Sequence, residues 1–199
     1  GSVYVFSEFV NTFDADPGTG IFNVSSAGDE DIFLIKLTSA GNFVWAKTTG
    51  SGSYESSGDI KYSNNSIYIC GQYSDTMDID FGTGLSLLQP YNNSNSYIAK
   101  YDTSGNLIWA KTIGDSSYIR LEAIDIASNN DVTIVGEYNT YSSAGMDANP
   151  GAGNFALHTS CGVETGIVIR LDMNGNFKNA FDIENSTRLD LYDVVCDDN

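Results

Sequence analysis

The chain has 199 residues, 41% of them hydrophobic, which is enough apolar content to bury a core and excludes a disordered polymer. Its 26 acidic and 9 basic residues give a formal charge of -17, a surface that repels nucleic-acid backbones and anionic lipid headgroups. No run reaches about 18 apolar residues, so no membrane insertion is expected.

In chain order, Val3-Tyr4-Val5 opens a strand pattern. An acidic turn follows at 14–20 (Asp-Ala-Asp-Pro-Gly-Thr-Gly), then a short strand candidate at 21–25. The apolar run 32–37 leads through Gly41-Asn42 into a second run at 43–47. A lead-in strand at 59–62 precedes Ile67-Tyr68-Ile69, where the pattern begins again. Lys36 and Lys100, Gly41 and Gly105, and Trp45 and Trp109 are each 64 residues apart. A third copy follows 70 residues later, with Arg170 and Gly175-Asn176 in phase. It has drifted: Asn179 takes the tryptophan position and Phe181 the second lysine position.

Each unit supplies four strands, and short turns pair successive strands antiparallel. No segment carries a helical period. The sequence therefore predicts an all-β, β-propeller-type repeat: three blades of about four antiparallel strands, in units 1–65, 66–130 and 131–199 of a single repeat region. A β-solenoid is the rival, but its rungs are usually shorter. Residues 193–196 repeat the lead-in strand and, joined to residues 3–5, read as one more hairpin. Three arrangements are compatible with this: an excerpt from a longer array, several chains closing one ring, or a compact three-unit fold.

The segments 31–36 and 39–48, with 97–114, resemble the SBBP-type β-propeller repeat, as do Ile67-Tyr68-Ile69-Cys70-Gly71 and the turn at 14–18. The resemblance covers nearly the whole chain and is most specific in the first two units. It implies an exported bacterial protein of the Bacteroidota type, secreted or on the cell surface, and it implies no reaction.

The acidic turns are the candidate metal sites. Asp14 with Asp16, Asp78 with Asp80, and Asp147 with Asn149 place two oxygen-bearing side chains two residues apart, as a calcium loop begins, although its later acidic ligands are absent. The structural alternative is an Asx-turn, in which each side chain bonds its own backbone. No cofactor other than Ca²⁺ is suggested. Lys36, Lys47, Lys100, Lys111 and Arg170 at repeat positions are expected to be structural, and Trp45 and Trp109 to pack between blades. With His158 as the sole histidine, a multi-histidine zinc site is excluded. Cys70, Cys161 and Cys196 are odd in number and show no metal-type spacing; they read as buried small side chains, with one disulfide as the alternative.

The expected function is a non-catalytic binding or adhesion module for a protein or glycan ligand, contacted by the variable segments 91–95, 138–145 and 159–165. The alternatives are a structural spacer in a large surface protein and a carbohydrate-active enzyme domain. Further blades of the same parent chain, or self-association, are the expected partners of the free strand edges.

Overall fold

The computed structural model describes residues 1–91, 94–115, 117–140, 145–158, 162–184 and 188–197. The elements in them are all strands. β1 (Ser2–Phe9) is followed by a small hairpin, β2 (Thr12–Asp14) and β3 (Asn23–Ser25), then by β4 (Asp31–Thr38) and β5 (Phe43–Thr49). The pattern repeats as β6 (Glu55–Ser63), β7 (Ser66–Tyr73), the hairpin β8 (Met77–Asp78) and β9 (Leu87–Leu88), β10 (Asn95–Asp102) and β11 (Leu107–Ile113). It repeats again as β12 (Tyr118–Ile126), β13 (Val132–Asn139), the hairpin β14 (Met146–Asp147) and β15 (Ala156–Leu157), β16 (Thr165–Leu171) and β17 (Phe177–Ile183).

Three sheets result, ordered β1-β4-β5, β6-β7-β10-β11 and β12-β13-β16-β17, with neighbours antiparallel throughout. These meanders are propeller blades, as the sequence predicts. The turns have the required chemistry. Asn64 and Asn65, at φ 47° and 57°, close β6 onto β7 in the left-handed conformation that Asn tolerates best after glycine. Gly41, Gly105 and Gly175 hold φ of 81°, 74° and 77° between the last two strands of each blade.

Two expectations are corrected. The first blade has three strands, not four: among the described residues no strand lies on the free edge of β1. The predicted strand at 193–196 is not a strand. Val194 packs on Ala123, Val135 and Val168, which belong to three neighbouring strands. The segment thus lies on a sheet face, which offers side chains but no ladder of N–H and C=O groups. Its backbone is tied there by Cys196 N, which donates to Asp125 Oδ2 at 2.6 Å.

The core sits between blades. Ile67, Ile69, Tyr97 and Ala99 point to the first seam, against Ile32 and Leu34. Tyr68, Cys70 and Ile98, their alternating neighbours, point to the second, against Ile134, Ile167 and Ile169. The middle blade is therefore buried on both faces, which is why its strands read as continuous apolar runs. The main contacts between sheets all run through β6 or β12, the first strands of the second and third blades. Burial pushes the Cys70 thiol far up, so it behaves as a small apolar side chain. Cys70 and Cys196 are free thiols; Cys161 lies outside the described residues.

Candidate functional site

The acidic turns fold identically in all three blades. Asp14 Oδ1 accepts from Asp16 N at 3.1 Å and Phe22 N at 2.8 Å, and Asp16 Oδ1 accepts from Gly18 N at 2.8 Å. Asp78 accepts from Asp80 N and Ser86 N, and Asp80 from Gly82 N, at matching distances. Asp147 accepts from Asn149 N and Phe155 N, and Asn149 Oδ1 from Gly151 N. These are Asx-turns, each closing a small hairpin over eight residues. Gly20, Gly84 and Gly153 are required there, because a Cβ would lie 2.2, 2.1 and 2.6 Å from the end atoms of Asp16, Asp80 and Asn149. One oxygen of each candidate calcium pair member, Oδ1, is thus engaged by the backbone, and the amide of Asn149 does the same turn-closing work as a carboxylate. Among the described residues, no three His, Cys, Asp or Glu side chains cluster as a metal centre.

The repeated cations clasp neighbouring blades. Lys36 Nζ donates to Thr103 O at 2.8 Å, and Lys100 Nζ to Met173 O at 3.1 Å, each in the last-strand turn of the next blade. Lys47 Nζ bonds Gly105 O at 3.1 Å, and Trp109 Nε1 bonds Met173 O at 3.1 Å. Trp45 faces the Gly105 turn, and Trp109 the Gly175 turn, closely enough that a Cβ there would meet the rings at 3.2 and 3.0 Å. Glu8 Oε2 accepts from Ser57 N and Gln72 Nε2 donates to Ile119 O, both at 3.0 Å and again one blade forward. Arg170 instead pairs within its own blade, with Asp131 at 3.0 Å. Lys36, Lys47, Lys100 and Arg170 thus make bonds that hold strands and blades together.

The hairpin tips also expose large apolar side chains. Ile21 is 78% and Leu85 76% exposed, in equivalent places and 64 residues apart. Phe22, Leu87 and Phe155 are exposed beside them. Phe22 leans on Phe43 at 4.9 Å and Phe155 on Phe177 at 5.1 Å, so the first and third hairpins are each braced by their own outer strand. Acidic Asp16 and Asp80 flank these apolar tips. The signal for this surface in the sequence is a large apolar residue, Ile21 or Leu85, recurring in a turn that is otherwise polar. A second feature is an open cleft of 670 Å³ at the first seam, lined by Tyr4, Lys36, Ile60, Tyr62 and Thr103. There Tyr4 and Tyr62 stack at 5.8 Å.

Much of the variable loop surface (residues 92–93, 141–144 and 159–161) lies outside the described residues. Within 91–95, Asn95 is buried and accepts from Tyr91 N at 2.6 Å, which makes it a loop anchor and not a contact residue.

No family model matches the chain. A curated protein, the uncharacterized WD repeat-containing protein L264 of Acanthamoeba polyphaga mimivirus, is 24% identical over 131 residues, covering 61% of this chain and 9% of that protein. The chain thus spans less than a tenth of the length of the relative it matches. Sheet architecture and this likeness agree on an all-β repeat protein of the propeller type, similar to the WD-repeat proteins.

Proposed function

We propose that the chain is a non-catalytic binding module whose ligand is a protein with a basic, partly apolar surface. The observation that carries this is the repeated hairpin tip: Ile21 and Leu85 stand out from the surface in equivalent positions, beside Asp16 and Asp80. Repeated exposed apolar residues on a rigid scaffold mark an interaction surface. The charge of -17 favours a cationic partner and repels an anionic one. Likeness to a WD-repeat protein supports a propeller scaffold for such contacts. The SBBP-type resemblance supports a secreted or cell-surface bacterial setting, in which further blades or a second copy would meet its free strand edge.

A photo-crosslinking residue at position 85, compared with one at exposed Val44, tests this reading. The expected result is a defined protein adduct at 85 that disappears at high salt and in Ile21→Ser. A glycan-array signal without protein adducts would instead support the glycan ligand, favoured by the Tyr4–Tyr62 stack in the first cleft. Blanks in both would make the chain a spacer.

A further inference from the structure

Two carboxylates at the first seam have a demand that the protein does not meet. Asp31 opens β4 and is 2% exposed; Glu55 opens β6 and is 0% exposed. Asp31 Oδ2 accepts from Ala27 N at 2.7 Å. Glu55 accepts from Ser51 N at 2.7 Å and from the Ser51 hydroxyl at 2.6 Å. Asp31 Oδ1 is buried without a partner. Gly50 runs between the two side chains: a Cβ on it would lie 2.4 Å from Asp31 Oδ1 and 2.7 Å from Glu55 Oε2. The two oxygens are therefore no farther apart than the sum of those distances. Among the described residues, the ion pairs all lie elsewhere, so no lysine or arginine neutralises either group.

The second blade reveals what this position asks for. Asn95, paired with Tyr73, occupies the place that Asp31, paired with Phe9, holds in the first. Its Oδ1 accepts from Tyr91 N, as Asp31 Oδ2 accepts from Ala27 N. Its other atom is a donor: Nδ2 bonds Asp115 O at 3.0 Å. Asp115 follows β11 where Ser51 follows β5. In the first blade an acceptor, Asp31 Oδ1, stands where the second has a donor. Glu55 adds a second carboxylate where the second seam has Ile119. Burial pushes the Glu55 carboxyl up, Asp31 and Asp75 add to the push, and the two bonds from Ser51 oppose it. Two buried carboxylates that face each other, with Asp31 Oδ1 left unpartnered, are stabilised by a positive charge between them.

We propose that Asp31 and Glu55, with the hydroxyl oxygen of Ser51, bind one hard divalent cation of the calcium class. Carboxylate, hydroxyl and carbonyl oxygens are the ligand set such an ion takes. The ion joins the start of β4 to the start of β6, where Glu55 N already donates to Glu30 O at 2.9 Å and Asp29 N to Ser53 O at 3.2 Å. The site is distinct from the acidic turns, which lie on the small hairpins, and it is independent of the hairpin-tip surface.

Terbium(III) titration of the 199-residue chain tests it, with emission sensitised by the nearby Tyr54 and Tyr73. The expected result is one saturable site per chain, competed by Ca²⁺, together with a melting temperature several degrees higher in Ca²⁺ than in chelator. Asp31→Asn recreates the second blade's donor, so it is expected to fold while weakening binding at least tenfold. Asp80→Asn is expected to leave binding unchanged. If Asp31→Asn does not fold, Glu55→Gln takes its place; if neither folds, the wild-type melting shift decides. Absence of calcium-competable emission and of that shift, or emission unchanged in the folded variant, would overturn the proposal; the pair would then be neutralised by a proton.

Discussion

Lys100 places its ammonium 5.1 Å from the ring centroid of Tyr68, its direct partner across the β10–β7 ladder. Lys36 and Tyr4 repeat the arrangement at 5.4 Å across β4–β1. The ring fixes each lysine stem so that the ammonium reaches the next blade's turn. Lys100→Met keeps the stem and removes the charge. It is expected to cost about 0.5–2 kcal/mol, because a charge-assisted hydrogen bond and a cation–π contact are lost while Trp109 Nε1 still donates to the Met173 carbonyl. Lys36→Met, at the less buried first seam, is expected to cost less. Urea unfolding midpoints of the two variants check the order.

The Gly175 turn separates backbone strain from seam packing. Gly175→Ala meets φ of 77° and the Trp109 ring at 3.0 Å, whereas Gly41→Ala meets φ of 81° and no atom within 4 Å. Both lose roughly 1–2 kcal/mol to the left-handed conformation. The excess at Gly175 measures the cost of moving Trp109. Equal losses would mean that the ring adjusts freely.

The Asx-turns predict a sharp chemical distinction. Asp80→Asn is expected to change stability by less than about 0.5 kcal/mol, since Asn149 already fills that place in the third blade. Asp78→Ala removes the acceptor of two backbone N–H groups and is expected to cost about 1–2 kcal/mol. Thermal melts of both variants decide.

Glu137 makes stability depend on pH. It is 1% exposed, and its Oε2 has no hydrogen-bond partner. Burial, then the charges of Asp190 and Glu122, push its carboxyl up to about 7 against the opposing pull of Arg120 and Arg188. The folded state therefore holds the proton more tightly than the unfolded state, where a glutamate titrates near ~4.3. The stabilisation is full below that value and is lost as pH rises through about 7. The loss is on the order of 2 kcal/mol by pH 8. Glu137→Gln removes the slope, so its stability relative to wild type should improve from pH 5 to about pH 7 and level off above it. Parallel profiles would contradict this assignment.

The blades were legible because their landmarks are local. Gly41, Gly105 and Gly175 mark turns that need positive φ, and the runs at 32–37 and 67–70 carry their burial in composition. The Asx-turns were legible as one of two readings, since Asp-x-Asp followed by glycine serves both a backbone turn and a cation. Residues 193–196 misled: their strand pattern is genuine, but pairing depends on an edge that the surrounding structure does not offer. Asp31 and Glu55 could not be found by repeat phase, because the second seam places Asn95 and Ile119 at those positions. Their proximity arises from inter-blade packing, which no local pattern encodes.

The clasps of Lys36, Lys47, Lys100, Glu8 and Gln72 all reach one blade forward and none reaches two. Such nearest-neighbour coupling makes the array a one-dimensional chain of interfaces. Its unfolding should then be less than all-or-none, with blades released singly as each seam fails. The span of a cooperative unit would be set by how many consecutive seams keep their lysine, and the drift at Asn179 and Phe181 marks where that coupling thins.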